Sequence, residues 1–253
     1  MNHMNLQDRA ALVTGAGVGI GRAIAESLAA AGASVAVHCN QSVAEADEVA
    51  AGIVSRGGRA WRLQADLADP EQARKLVDRA FEKCGRLDVL INNAGSPIER
   101  SRIEDCSIDL WQQVMATNLT SAFLVTQAAI PHLRASGNGA IVNNLTLSIQ
   151  SGGANGAGPY AIAKGGLQVL TRTLARELAP EVRTNSIMPG VIETRHHEVY
   201  STPERMEQYR RETPLARNGV PQEVANSVLF LVSDEAKFIN GALFDINGGR
   251  FLR

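Results

Sequence analysis

Tyr160 and Lys164 stand four residues apart in Tyr160-Ala-Ile-Ala-Lys164, a spacing that puts both side chains on one face of a helix. A hydroxyl beside an ammonium is a tunable proton donor. A free phenol titrates near ~10, and bringing it to about 7 takes roughly 4 kcal/mol, which a close positive charge in a partly dry site can supply. Such pairs also arise by chance on ordinary helices, so the companions decide. The first is Gly15-Ala-Gly17-Val-Gly19-Ile20-Gly21, set between the apolar run Ala10-Ala-Leu-Val-Thr14 and an Ala-rich run from Arg22 to Ala31. Strand, glycine turn and helix start, with exposed N–H groups, would cradle a pyrophosphate. The glycines do not follow G-x-G-x-x-G, and glycines serve plain tight turns too, so the flanking strand and helix carry the reading.

The elements that must position these residues follow in a regular alternation. A strand over Ala33–Cys39 ends in His38, Cys39, Asn40, Gln41 and Ser42, where a dinucleotide fold that prefers NAD would place a carboxylate for the ribose. None is present, so the reading leans to NADP(H) over NAD(H), although no arginine is supplied nearby; Ser42 serves equally as a helix cap. Helical periodicity over Val43–Ser55 leads to a strand at Ala60–Ala65 that ends in Asp66-Leu67. Asp69-Pro70 starts a helix that runs to about Cys84 with Gly85 as its cap, and Leu87–Ile91 is a buried strand running into Asn92-Asn93-Ala94-Gly95. A fifth strand at Gly139, a sixth over Val182–Met188, a helix from Pro221 to about Val232 and a last strand in Ile239–Gly249 complete the chain. The pattern predicts one domain over 1–253: a Rossmann-type, doubly wound parallel α/β sheet in three layers, with ligands at the strands' carboxyl ends.

Composition excludes several functions. A net charge of −1 in 253 residues, with both signs mixed throughout, gives no footprint for nucleic acid or an anionic membrane. Cys39, Cys84 and Cys106 are too few and scattered for a disulfide framework or a tetrahedral metal site. His196-His197 are adjacent and do not face one centre, so no metal is expected. The start has no basic segment followed by an apolar run, and no stretch is apolar enough to span a bilayer, which places the expected protein in the cytoplasm.

In order and spacing, Thr14-Gly15-x-x-x-Gly19-Ile20-Gly21, Asp66-Leu67, Asn92-Asn93-Ala94-Gly95, Asn118, Tyr160-x-x-x-Lys164 and Pro189-Gly190 with Thr194 resemble the short-chain dehydrogenase/reductase family over nearly the whole chain. Each motif is common; all six in order are specific. The resemblance implies hydride transfer between a nicotinamide cofactor and a carbonyl or secondary alcohol, with Tyr160 as proton donor and Lys164 tuning it and binding the ribose of the nicotinamide. It implies that Asn118 kinks a helix and holds a relay water, and that Thr194 contacts the nicotinamide amide. The family's serine at the end of the fifth strand is replaced here by Thr146, with Ser148 and Ser151 as fallbacks; threonine keeps the hydroxyl and adds a stiff methyl group. A loop over Ser151–Gly158 and a lid over about 192–219 would close the pocket. In the lid, arginines at 195, 205, 210, 211 and 217 face glutamates at 193, 198, 204, 207 and 212, which reads as a solvated face and not as an anion site.

Within the family the chain looks most like the 3-oxoacyl-acyl-carrier-protein reductase branch. Sugar, polyol and small-alcohol dehydrogenases share every motif, and Ala179-Pro-Glu181 lacks the basic residues expected for an acidic carrier. A cofactor-binding protein without catalysis is the reading of another class. The family's assembly implies a homotetramer.

Overall fold

A computed structural model describes residues 4–195 and 201–252. β1 (Ala10–Val13), β2 (Ser34–Cys39), β3 (Arg59–Gln64), β4 (Val89–Asn92), β5 (Gly139–Asn144), β6 (Val182–Pro189) and β7 (Leu243–Ile246) form one sheet. Its order is β3-β2-β1-β4-β5-β6-β7, with every pairing parallel. The chain winds outward from β1 to β3 and then returns to pair β4 on the other side of β1, in a register that sets Val13 opposite Ile91. That reversal opens a crevice at the carboxyl ends of β1 and β4.

The sheet is buried on both faces because its strands are apolar on both. In β1, Ala11 and Val13 pack into one core and Leu12 into the other. The first core is closed by α1 (Gly19–Ala30), α2 (Val43–Ser55) and a helix over Pro221–Val232. The second is closed by α3 (Pro70–Cys84), α5 (Ser121–Ala135) and α7 (Gly158–Glu177); α4 (Ile108–Met115) precedes α5, and the short α6 (Ser148–Ser151) follows β5. In α3, Asp69 Oδ1 accepts from the Glu71 and Gln72 amides, Pro70 opens the first turn, and Gly85 ends the helix at φ 76°. Among the described residues no helix is long and apolar enough to cross a membrane.

The structure shortens one expected strand and gives the expected irregularity at Asn118 its form. The last strand is Leu243–Ile246 and not the whole of Ile239–Gly249, because Gly241, Gly248 and Gly249 adopt φ 76°, 63° and 82° and turn the chain at either end. The helical stretch through Asn118 is interrupted: Ala116–Thr120 is π-helical between α4 and α5, a widening that frees backbone at one point of the helix.

Candidate active site

The glycine turn after β1 is shaped by what stands against it. A Cβ on Gly21 would lie 2.1 Å from the Gly15 carbonyl oxygen and 2.5 Å from Asn93 Nδ2, so the turn closes only without side chains. Gly15 and Gly19 have φ 63° and 55°. Asn93 Nδ2 donates to the carbonyls of Thr14 (2.9 Å) and Gly15 (3.0 Å), and Thr14 Oγ1 accepts from the Asn93 and Ala94 amides. Below the turn, buried His38 accepts from the Gly15 amide at Nδ1 (3.0 Å), leaving Nε2 to donate to Ala65 O (3.1 Å). Burial pushes the imidazole down to about 4, so it stays neutral, as the acceptor role at Nδ1 demands.

α1 then begins without a side-chain cap and with no acid in its first turn, so its leading N–H groups face the cavity with their positive end unopposed. Nearby, a Cβ on Gly17 would meet Ser42 Oγ at 2.7 Å. Ser42 occupies the N-cap position of α2 without making the capping bond and is among the residues that line the cavity. At the cavity wall Asn144 Oδ1 is buried without a donor while its Nδ2 donates to Asn93 Oδ1. An uncapped helix start, a cradle that a Cβ would fill and an unpaired acceptor fit a dinucleotide with a pyrophosphate and an amide.

Tyr160 and Lys164 lie on α7 as their spacing requires, with Nζ 6.0 Å from the tyrosine ring centroid. Lys164 is 2 % exposed and donates to the Asn144 carbonyl at 2.8 Å. The expected lowering of the phenol is not what the chain's own groups produce: burial pushes Tyr160 up to about 12 and Lys164 down to about 8. Desolvation is the cause that prevails at the phenol, with Nζ engaged by the Asn144 carbonyl of β5. Thr146 follows β5, and its Oγ1 accepts from the Ser148 amide at 3.2 Å, which leaves its proton free to donate. Thr146, Ser148 and Ser151 all line the cavity that holds Tyr160 and Lys164.

Asn118 is 1 % exposed and is no surface polar residue. It sits in the π-helical turn, accepts from the Ser96 amide at 2.9 Å and donates to Ser96 O and Val114 O at 2.7 and 2.9 Å. Gly95 lies between it and the lysine: a Cβ there would be 2.6 Å from Asn118 Oδ1 and 2.9 Å from Lys164 Nζ. Behind these residues Asn92 Nδ2 donates to Thr126 and Asn143, and Asn143 Nδ2 to Thr171, tying β4 and β5 to α5 and α7.

One cavity of about 1030 Å³ gathers Gly15, Gly19, Ile20, Gly21, Asn93, Ala94, Gly95, Thr146, Tyr160, Lys164, Pro189, Gly190 and Thr194. Gly190 is needed there because a Cβ would lie 2.8 Å from Asn247 Cα. Asn118 stands behind this wall. Asp66 and Leu67 also lie outside it: Asp66 is exposed and accepts from the Ala68 amide, and the Leu67 side chain is in the core. His196 and His197 lie outside the described residues, and among the described residues no cluster of three or more metal-ligating side chains occurs. Sequence reasoning missed Arg100, Tyr209, Arg250 and Phe251, which complete the mouth. They come from three distant segments, and only the Gly248-Gly249 turn hinted that the terminus folds back.

Comparison with known proteins agrees with this geometry. Residues 15–250 match a family described as "Enoyl-(Acyl carrier protein) reductase". The chain is similar to a 3-oxoacyl-[acyl-carrier-protein] reductase of Synechocystis sp., 38% identical over 250 residues that cover 96% of this chain and 97% of the relative. It is similar in structure to a short chain dehydrogenase from Burkholderia cenocepacia J2315 in complex with NADP (TM-score 0.91, 35% identity, 97% and 99% of the two chains). It is also similar to a 7α-hydroxysteroid dehydrogenase complexed with NADH and 7-oxo glycochenodeoxycholic acid (TM-score 0.92, 32% identity, 98% and 96%). With the uncapped glycine turn, the Tyr160 and Lys164 pair and the crossed sheet in one chain, the protein belongs to the short-chain dehydrogenase/reductase family of oxidoreductases.

Proposed function

We propose that this enzyme reduces a 3-oxoacyl thioester, or a small ketone of that shape, at the expense of NADPH. The observation that carries the reading is the meeting of Tyr160, Lys164 and Thr146 in the cavity that the uncapped start of α1 also enters. The nicotinamide, when bound, supplies the hydride and, once oxidised, a positive charge beside the tyrosine. The cofactor would be held by Gly15, Gly19, Ile20 and Gly21 around its pyrophosphate, by Asn93, Ala94 and Gly95, and by Pro189, Gly190 and Thr194 toward the nicotinamide, while Asp66 and Leu67, outside this cavity, make no contact with it. Tyr160 hands its proton to the substrate oxygen, and Thr146 orients that oxygen by its free hydroxyl proton. Lys164 would bind the ribose and return a proton to Tyr160, with Asn118 holding the Ser96 segment behind it.

The lean to NADP(H) over NAD(H) rests on Ser42 at the cavity wall and the absence of a carboxylate among residues 38–42. The segment 192–219, with the described helix Pro203–Glu212, acts as the lid of a single domain. Assembly as a homotetramer is supported by exposed Phe123, Ile162 and Val169 on α5 and α7 and by Phe238 near β7. Three free cysteines suit the reducing cytoplasm. Polar groups at the mouth favour a second reading, a sugar, polyol or small-alcohol dehydrogenase.

Fluorescence titration with NADPH and NADH, then absorbance of the reduced cofactor against 3-oxoacyl thioesters, diketones and polyols, tests the reading. Thioester turnover with NADPH is the expected result. Polyol oxidation with NAD would replace both the substrate and the cofactor assignment.

A further inference from the structure

The mouth of the cavity carries more positive charge than the proton-transfer step uses. Arg100, Arg195, Arg205 and Arg250 all reach it, against Glu204 and Glu212. Two of the arginines are matched: Arg195 pairs with Glu45 at 2.9 Å, and Arg250 pairs with Glu212 while lying over the Tyr209 ring, 4.5 Å from its centroid. Glu204 is turned back on the start of its own helix, where its own backbone amide and Thr202 hold its carboxyl below the usual range. Arg100 and Arg205 remain. Among the described residues neither has a carboxylate within ion-pair distance, so the even count of arginines and glutamates in the lid segment does not neutralise this part of the mouth.

Both are held in place by neutral groups. Arg205 Nε donates to Tyr209 Oη at 2.5 Å, and its guanidinium lies 5.5 Å from the same ring that Arg250 covers. Arg100 donates through Nη1 to Asn155 O at 3.3 Å, and its Nε is buried with no acceptor. The loop that anchors Arg100 leads into α7 five residues before Tyr160, and a second bond, from the Ser101 amide to Gly156 O at 2.9 Å, fixes it. Backbone strain flanks both sides of this contact: Ile98 has φ 62° and Asn155 φ 57°. A β-branched residue in the left-handed region is costly and persists where surrounding structure imposes it. The turn therefore spends conformational energy to present an arginine to the cavity.

We propose that the substrate carries an anionic group, a carboxylate or a phosphate, that is received by Arg100 and Arg205 while the reacting carbon lies at Tyr160. A guanidinium offers paired donors in a fork that suits either oxyanion. The proposal rests on the hydride-transfer reading for the site it extends. It leaves two sources for the anion, the carboxylate of a small oxo or hydroxy acid and the phosphate of a thioester arm.

The test uses the full chain saturated with nicotinamide cofactor and two matched pairs: an oxo acid against its methyl ester, and an acetoacetyl coenzyme A thioester against the N-acetylcysteamine thioester of the same acyl group. Wild type is expected to prefer the anionic member of at least one pair by about 10–100-fold in kcat/KM, the range for losing a charge-assisted hydrogen bond. Arg100→Gln and Arg205→Gln should each collapse that ratio through KM, and Arg100→Lys should restore part of it. Preference confined to the first pair identifies a small acid, and preference confined to the second identifies the phosphate. Equal use of both members of both pairs, or a ratio within twofold of wild type in both glutamine variants, overturns the proposal and leaves hydride transfer standing. A thermal-shift titration with the same compounds supplies a readout without turnover. If no compound is reduced or oxidised but the anions raise the melting temperature of wild type and not of the variants, the reaction assignment fails and the anion site stands; if the anions give no shift in wild type either, both fail.

Discussion

Lys164 Nζ donates to the Asn144 carbonyl at 2.8 Å and lies 6.0 Å from the Tyr160 ring centroid, so the ammonium of α7 is anchored on the last residue of β5. The pair thus depends on the sheet as well as on the helix. Any change that moves the end of β5 moves the charge that Tyr160 feels.

With its proton held up to about 12 by burial, Tyr160 stays protonated as a donor at neutral pH. Reduction should therefore stay flat from about pH 6 to 8, while oxidation, which needs the phenolate, should climb with pH. Tyr160→Phe should lower turnover by roughly 10²–10⁴-fold with cofactor binding nearly intact. Steady-state rates in both directions across pH, with fluorescence titration of the variant, check this.

Lys164 sits at about 8 in the folded chain against an ordinary value of 10.5. The unfolded chain binds the extra proton between those values, so the stability contribution of this group rises as pH goes from about 8 to 10.5 and is at its lowest below 8. Lys164→Met should therefore raise stability at pH 7, on the order of 1–3 kcal/mol, while abolishing turnover. The gain should fade toward pH 10.5 in denaturant titrations.

Thr146 presents a free hydroxyl proton because its oxygen already accepts from Ser148. Thr146→Ser should keep activity within about threefold, and Thr146→Val should lose about 10²-fold in kcat. Ser148→Ala should cost little. A larger loss in Ser148→Ala than in Thr146→Val would transfer the role to Ser148.

Asn118 satisfies the amide and the carbonyl of Ser96 and the carbonyl of Val114. Asn118→Ala should destabilise the fold by about 1–3 kcal/mol, because the buried Val114 carbonyl and two half-buried Ser96 groups each lose a hydrogen bond. It should also lower kcat more than it raises KM, since Gly95 is fitted between this side chain and Lys164. Denaturant unfolding and steady-state kinetics on one preparation separate the two effects.

Gly21→Ala sets a methyl group 2.1 Å from a backbone oxygen, and nothing there can rotate away. The melting temperature should fall by about 5–10 °C and cofactor affinity by at least tenfold. Gly17→Ala meets the Ser42 hydroxyl at 2.7 Å, which can turn, and the Ser42 carbonyl oxygen only at 3.1 Å, so its effect should be milder. Scanning calorimetry and fluorescence titration measure both.

Local chemistry determined the elements. α2 occupies Val43–Ser55, and the last long helix Pro221–Val232, because caps, prolines and apolar periodicity act within a few residues. Likewise the Tyr160 and Lys164 pair and the glycine turn declare themselves, since their chemistry fixes both residue type and spacing. The sequence could not say that His38 would turn inward to hold Gly15, because a polar residue at a strand end satisfies the same local pattern whether it is buried or exposed. It could not bring Arg100, Arg205 and Arg250 to one mouth, because they stand 105 and 45 residues apart along the chain and meet only when the sheet reverses and the terminus folds back. Nor could it foresee that desolvation outweighs the ammonium at Tyr160, since that balance depends on where Nζ points and on how little water reaches it. Spacing along a chain fixes which groups can share a helix face; only packing fixes the direction of each group and the dielectric around it.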